Sequence, residues 1–363
     1  MRLLRWFLAP LTPLYGGIAR LRNRAFDRHP ERSAALPVPV LSVGNLSTGG
    51  TGKTPLTLHL AEALATAGWR TGVLSRGYGG RRRVDPMTVA LDSNPAETGD
   101  EPLLMARRLG PERVVVGRSR HAAGLRALSL QPPPELLLLD DGFQHRGLRR
   151  DLDLLVLDGV RRWGNGHTLP LGDLREPMAG AARADALVVT RGSRADQTAI
   201  LAWWQRYGFG GPVFWVDFAL GALRRLDTGE RLALPGPVPG PLFAFCALGH
   251  PEAFFADLLV AGLPWVGTRA YRDHQALGPA DLARLQALAG AEEAVGLVCT
   301  EKDAVKLGPW AAAGPLPVWV AEQRVLGAEP LVAWIRHRLG QPPSRGWTES
   351  GGSTPGIFPA SPL

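Results

Sequence analysis

Cysteine is nearly missing from this 363-residue chain: Cys246 and Cys299 are the only two. They lack metal-ligand spacing, which argues against a disulfide-stapled scaffold or a zinc module and fits a reducing cytoplasm. Both read as core residues. Lysine is almost as scarce, limited to Lys53, Lys302 and Lys306 among 41 basic residues, and this preference for arginine reads as compositional bias. No membrane-spanning run stands out either. The uncharged stretch from Trp6 to Ala19 is fourteen residues, short of the roughly twenty that a crossing helix needs. Arg5 interrupts the segment, Pro10 and Pro13 break it, and no small-residue cleavage pattern follows, which argues against a signal peptide.

What is present is an ordinary globular composition, 45% apolar, in a chain long enough for two domains. The net charge of +8 suits nucleic acid, an anionic membrane or a phosphorylated substrate equally well. Its distribution narrows the choice. Residues 1–32 hold seven arginines against Asp27 and Glu31, interleaved with Trp6, Phe7, Leu8, Leu11, Leu14 and Tyr15. Residues 1–28 therefore read as an amphipathic interfacial anchor, with Arg20, Arg22, Arg24 and Arg28 meeting anionic lipid. The alternative is a helix packed on the body of the protein. No recognition module or basic helix lies within the body, so nucleic acid is not an expected partner.

The stretch PVPVLSVGNLSTGGTGKTPLTLHLAEALATAGW, residues 37–69, organises the rest. It reads as a strand, a glycine-rich turn and a helix with Leu56, Leu60, Ala63 and Leu64 at helical spacing. Such a turn holds phosphate: Gly49, Gly50, Thr51 and Gly52 let backbone N–H groups converge at a helix N-terminus. Lys53 is placed for the outer phosphates and Thr54 for the accompanying Mg2+. Ser47 stands where the first glycine of G-x-x-x-x-G-K-[ST] is expected. A second strand ends in Ser75, Arg76 and Gly77, giving the parallel α/β rhythm in which ligands gather beyond the carboxyl ends of strands.

Carboxylates supply the second signal. The run LLLLDD reads as a buried strand ending in Asp140 and Asp141, the usual position of an acid that fixes magnesium beside a phosphate loop. Asp100 and Glu101 precede Pro102 at the start of a helix, where capping by Asp100 is the plain reading. Arg120 follows another strand on the same rim, and Gln144 and Glu176 lie on loops near it. Residues 29–217 are expected to form the phosphate-loop core and 218–240 a linker. A smaller α/β unit is expected over 241–322, a helix over 323–340 and a disordered tail over 341–363.

Taken in order, SVGNLSTGGTGKTP, VLSRGYGG, GDEPLLMARR, VVVGRSRHAAG, LLLLDDGFQHRGLRRDLDLLVLD, LPLGDLREP and TEKDAVKL resemble the tetraacyldisaccharide 4′-kinase family, the lipid A 4′-kinases. That family's phosphate loop also lacks the first glycine. The resemblance implies transfer of the ATP γ-phosphate to the 4′-hydroxyl of an acylated glucosamine disaccharide 1-phosphate, at the cytoplasmic face of the inner membrane. It implies a catalytic dyad of Asp100 and His274, with His250 as the fallback because Gln275 stands where many members carry a second histidine. It also implies ATP and Mg2+ as ligands, with Arg76, Glu101, Arg120, Gln144 and Glu176 as supporting contacts. No protein partner is implied. With the dyad split between two units, closure about the linker is expected during turnover. The rival reading is a phosphate-loop ATPase or GTPase switch acting on a protein partner. In TEKD, however, Lys302 and Asp303 are adjacent, unlike the guanine-reading N-K-x-D.

Overall fold

The computed structural model describes residues 8–342 apart from 209, 274, 309, 312 and 313. His274, the first seven residues of the expected anchor and nearly all of the expected tail lie outside these.

Helix α1 (Thr12–Arg28) precedes the buried strand β1 (Val40–Gly44), which leads through the glycine loop into α2 (Lys53–Thr66). Then come β2 (Thr71–Ser75), β3 (Met87–Thr88), α3 (Pro95–Thr98), α4 (Asp100–Leu109), β4 (Val114–Val116) and α5 (Arg120–Leu128). The run Leu136–Asp140 forms β5, followed by β6 (Leu152–Asp158), β7 (Ala186–Thr190) and α6 (Gln197–Tyr207). The far half comprises β8 (Val213–Arg225), β9 (Arg231–Ala233), β10 (Leu242–Cys246), α7 (Pro251–Val260), β11 (Trp265–Ala270) and α8 (Pro279–Ala291). It ends with β12 (Gly296–Thr300), α9 (Glu301–Ala304), β13 (Val318–Leu326) and α10 (Glu329–Leu339).

All strands join one sheet in the order β11-β10-β12-β13-β8-β7-β6-β1-β5-β2-β4-β3, with β9 on β8. Pairing is parallel except at β8/β13, β8/β9 and β3/β4. The parallel strands are covered by helices on both faces, which is why β1, β2, β5 and β6 read as almost unbroken apolar runs and are buried throughout.

Residues 218–225, expected in the linker, are strand. β8 pairs with β7 through Val213–Val216 and then with β13 through Asp217–Arg225, so one continuous strand belongs to both halves. The proline cluster that suggested a linker falls only after the β8/β9 hairpin. Residues 323–326, expected in a helix, extend β13 instead. The true helix, α10, returns to the first half, where Leu331 and Ile335 share a core with Leu56, Leu60 and Leu64 of α2. Fully burying each such side chain contributes about 1.5–3 kcal/mol, so the C-terminal helix is integral to the phosphate-loop half.

α1 does pack on the body, through one face. Thr12 and Gly16 are buried, Tyr15 donates to the Arg175 carbonyl at 3.0 Å, and Asn23 donates to Glu176 at 2.6 Å. Its opposite face is left bare. Among the described residues no helix is long and apolar enough to cross a membrane.

Candidate active site

The glycine loop takes its shape from backbone that other residues resist. Gly49 and Gly52 have φ of +105° and +81°, and a Cβ on Gly52 would sit 2.5 Å from Phe218 Cζ. The loop is braced from below: buried Asn45 donates to Thr51 Oγ1 at 3.1 Å, and Thr190 donates to the Thr51 carbonyl at 3.0 Å. Lys53, the first residue of α2, donates to Asn45 Oδ1 at 3.0 Å and lies 3.5 Å from Asp141 Oδ1. Unfilled helix N–H groups and this ammonium therefore face one cup, ready for an anion. Arg161 reaches over the same loop, with Nη1 beside Gly49. Asp158, at the end of β6, accepts the Arg161 N–H at 3.0 Å and positions that segment.

The two adjacent aspartates differ in kind. Asp141 is held by Arg175 Nη1 at 2.8 and 2.9 Å; burial opposes its ionisation, but Lys53 and Arg175 outweigh it and keep the carboxyl below its ordinary range. Asp140 is buried and, among the described residues, its carboxylate meets Thr57 at 3.5 Å and Ser75 at 3.4 Å. Burial, and then the nearby carboxylates Glu101 and Asp141, push it up to about 7. Glu101 in turn accepts from Thr54 Oγ1 at 3.4 Å. Crowded carboxylates beside a threonine hydroxyl suit a hard, oxygen-loving cation. No cluster of three or more His, Cys, Asp or Glu that could cage a metal occurs among the described residues. Mg2+ usually takes one or two carboxylates and fills its shell with phosphate and water.

Opposite the acids is a basic rim. Arg120 is 3% exposed; its Nη1 donates to the Gly117 carbonyl at 2.6 Å, while Nε and Nη2 find no acceptor among the described residues. Burial lowers its pKa to about 10 despite the attraction of Asp140 and Asp141. A buried guanidinium with free donors is costly unless an anion completes it. His145 shares the rim: burial first, then Arg120 and Arg76, lower its pKa to about 4.

Asp100 is the first residue of α4, and the N-cap is Gly99, not Asp100 as the capping reading expected. Gly99 has φ +88°, and a Cβ there would lie 2.7 Å from the Tyr78 carbonyl. The GYGG turn thus packs backbone to backbone against the entry to α4, which fixes where Asp100 stands. Lys306 Nζ comes from the far half to within 3.8 Å of Asp100 Oδ2, and Lys302 Nζ lies 3.5 Å from Glu101 Oε1. His250, the fallback histidine, is an exposed residue ahead of α7, 3.5 Å from Glu252.

Gln144 and Glu176 are knitted into the scaffold. Glu176 is buried, with its oxygens on Arg183 at 2.6 and 2.8 Å, Gln144 at 2.8 Å and Asn23 at 2.6 Å. Gln144 also donates to the Asn45 carbonyl at 2.8 Å. Their visible work is to tie α1 and the 163–177 loop to the glycine loop. Asn45, Arg161 and Lys306 are not marked as site residues by the sequence reading. For Lys306 a signal existed in the scarcity of lysine, since all three lysines meet site carboxylates.

A parallel sheet, a phosphate-holding loop at a helix N-terminus and acids at neighbouring strand ends define a phosphate-loop nucleotide-dependent phosphotransferase. A family model for tetraacyldisaccharide-1-P 4′-kinase matches residues 4–340. Similar proteins include the tetraacyldisaccharide 4′-kinases of Chromobacterium violaceum, 41% identical over 92% of this chain and 93% of that one, and Dechloromonas aromatica, 43% identical over 83% of each. A crystal structure of LpxK from Aquifex aeolicus in complex with ATP matches with a TM-score of 0.72 and 32% identity, covering 93% of this chain and all of that one. The chain belongs to the tetraacyldisaccharide 4′-kinase family.

Proposed function

We propose that the protein transfers the γ-phosphoryl group of ATP to the 4′-hydroxyl of a tetraacylated glucosamine disaccharide 1-phosphate, as a step of lipid A synthesis. The observation that carries this is the site's two-sided chemistry, seen in a member of this family. Thr54 of the phosphate cup meets Glu101 at 3.4 Å, next to Asp100 at the start of α4, and Asp140 ends β5, the strand beside β1. Lys53 and the loop amides hold the donor phosphates and offset charge that builds on the phosphoryl oxygens. Thr54 and Asp140 would hold Mg2+, which when bound neutralises phosphate charge. Asp141, already paired with Lys53 and Arg175, serves to orient the lysine. Asp100, with His274 as its dyad partner, takes the hydroxyl proton as the new oxygen–phosphorus bond forms and the bond to ADP breaks. Arg120 and Arg76 receive a phosphate of donor or acceptor.

The bare face of α1 carries exposed Leu14, Ile18 and Leu21, continued by Leu11 just ahead of the helix, with Arg20, Arg24 and Arg28 alongside. This supports a peripheral seat on the cytoplasmic face of the inner membrane, where a lipid acceptor is presented with its acyl chains still embedded. Incubation with γ-labelled ATP and the disaccharide 1-phosphate in detergent tests the reading: label on the lipid is expected. Preferential GTP hydrolysis with no labelled lipid would favour a regulatory switch.

A further inference from the structure

The scarcity of lysine points to a residue that the proposed reaction leaves unused. In a chain that otherwise relies on arginine, Lys53, Lys302 and Lys306 meet Asp141, Glu101 and Asp100 respectively. Lys302 and Lys306 belong to the segment at and after α9, in the far half of the sheet, and both reach α4 in the phosphate-loop half. Arg108 of α4 answers in the other direction, donating to Glu301 at 2.7 Å.

Lys306 is the most constrained of the three. Its side chain is 4% exposed, and its ammonium sits 3.1 Å from Asp303 Oδ1. Asp303 is itself wholly buried and held on both oxygens: Thr300 Oγ1 donates to Oδ2 at 2.6 Å, and the Ala247 N–H lies 3.2 Å from each. A carboxylate so fully engaged is a rigid anchor, and Lys306 extends from it toward Asp100. A compact ammonium fits this role better than the planar guanidinium fork used elsewhere in the chain.

We propose that Lys306 is a positioning residue for Asp100: anchored on Asp303, its ammonium fixes the carboxylate through Oδ2 and sets the direction in which it meets the acceptor hydroxyl. Lys306 exchanges no proton and touches neither substrate. The inference rests on Asp100 being the base, so the experiment separates the two. Steady-state kinetics are compared for the wild type, Asp100→Asn, Lys306→Met and the double variant, with thermal unfolding of each. A general base is worth about 10²–10⁴-fold; losing only its orientation is expected to lower kcat about 10- to 100-fold, with KM for ATP within about 2-fold. In the Asp100→Asn background, Lys306→Met is expected to have no further effect on kcat, because the group it positions is gone.

Lys306→Met strips Asp303 of its cation inside the core, so the comparison is repeated with Lys306→Met/Asp303→Asn, in which the buried pair is neutral. An equal fall in kcat in both backgrounds, or a folded Lys306 variant with unchanged kcat, would overturn the role of Lys306 alone. An Asp100→Asn enzyme with unchanged kcat overturns the base assignment and this inference together.

Discussion

The bare face of α1 makes a quantitative prediction about membrane binding. Leu11, Leu14, Ile18 and Leu21 recur at steps of three and four, so they form one stripe, and they are 50%, 61%, 59% and 66% exposed. Complete burial of a leucine or isoleucine is worth about 1.5–3 kcal/mol, so the part still open on each is worth about 1–2 kcal/mol on entering the interface. Arg20, Arg24 and Arg28 add about 1 kcal/mol each beside an anionic surface. Replacing Leu14 and Ile18 together by Ser should therefore weaken vesicle binding by about 2–4 kcal/mol, or roughly 30- to 1,000-fold. The fold should be unaffected, because α1 is tied down through other residues: Tyr15, Arg22, Asn23 and Asp27 bond to Arg175, Gln144, Glu176 and Arg146. Co-sedimentation with vesicles of zwitterionic lipid and of mixed anionic lipid reads both contributions. Arg20→Gln/Arg24→Gln should weaken binding only to the anionic set, and less so as salt is raised. If the Ser variant binds like the wild type, or if the intact protein ignores both vesicles, α1 is not an interfacial anchor.

Three other perturbations probe the site. Gly99→Ala combines an unfavourable φ with a Cβ 2.7 Å from the Tyr78 carbonyl, a strain of about 2–4 kcal/mol; it should displace Asp100 and cut kcat at least tenfold while ATP affinity, read by calorimetry, changes little. Arg120→Met removes a buried guanidinium whose Nε and Nη2 lack acceptors among the described residues, so the unfolding temperature should hold or rise, by the equivalent of about 1–3 kcal/mol, while KM for one phosphate-bearing substrate climbs; a lower unfolding temperature with unchanged KM contradicts this. His145 has its folded pKa lowered from 6.5 to about 4 by burial and by Arg120 and Arg76, so the unfolded chain binds the proton first and stability falls as pH drops through that window, by about 3 kcal/mol in all. Asp140, raised to about 7, titrates nearby with the opposite sign, so the measurement is the difference in unfolding free energy between wild type and His145→Gln from pH 7 to 4. A difference that does not vary with pH refutes the assignment.

The first half of the chain was largely legible because its signals are local. A strand, a glycine turn with Lys53 and Thr54, and a leucine run ending in Asp140 each declare themselves within a few residues, and the parallel sheet follows from their alternation. What stayed hidden depends on pairing at long range. Nothing near residue 218 states that β13, a hundred residues later, will run antiparallel to it, and the proline cluster that follows looks like a linker in any local window. The distinction between Asp140 and Asp141 also needed the fold, since Arg175 comes from a loop beyond β6 to occupy one and leave the other. Lysine scarcity was visible from the start. It gained meaning only when all three ammonium groups proved to face site carboxylates.

The shared strand bears on how the two halves cooperate. The sequence suggested closure about a linker at 218–240, yet β8 runs into that region as far as Arg225 and matches β13 at eight register pairs, Asp217↔Leu326 to Arg225↔Trp319. At about 0.5–1.5 kcal/mol for each backbone hydrogen bond, opening that ladder costs several kcal/mol. α10 adds a second tie, since it follows β13 and buries its apolar face against α2. The ion pairs between α4 and α9, Arg108–Glu301 and Glu101–Lys302, together with Lys306–Asp100, form a third. The β8/β13 ladder moves with the far half, so a rigid-body hinge between the halves would have to break the contacts of α10 and the ion pairs of α4. In this arrangement the far half already brings the Lys306 ammonium to within 3.8 Å of Asp100 Oδ2.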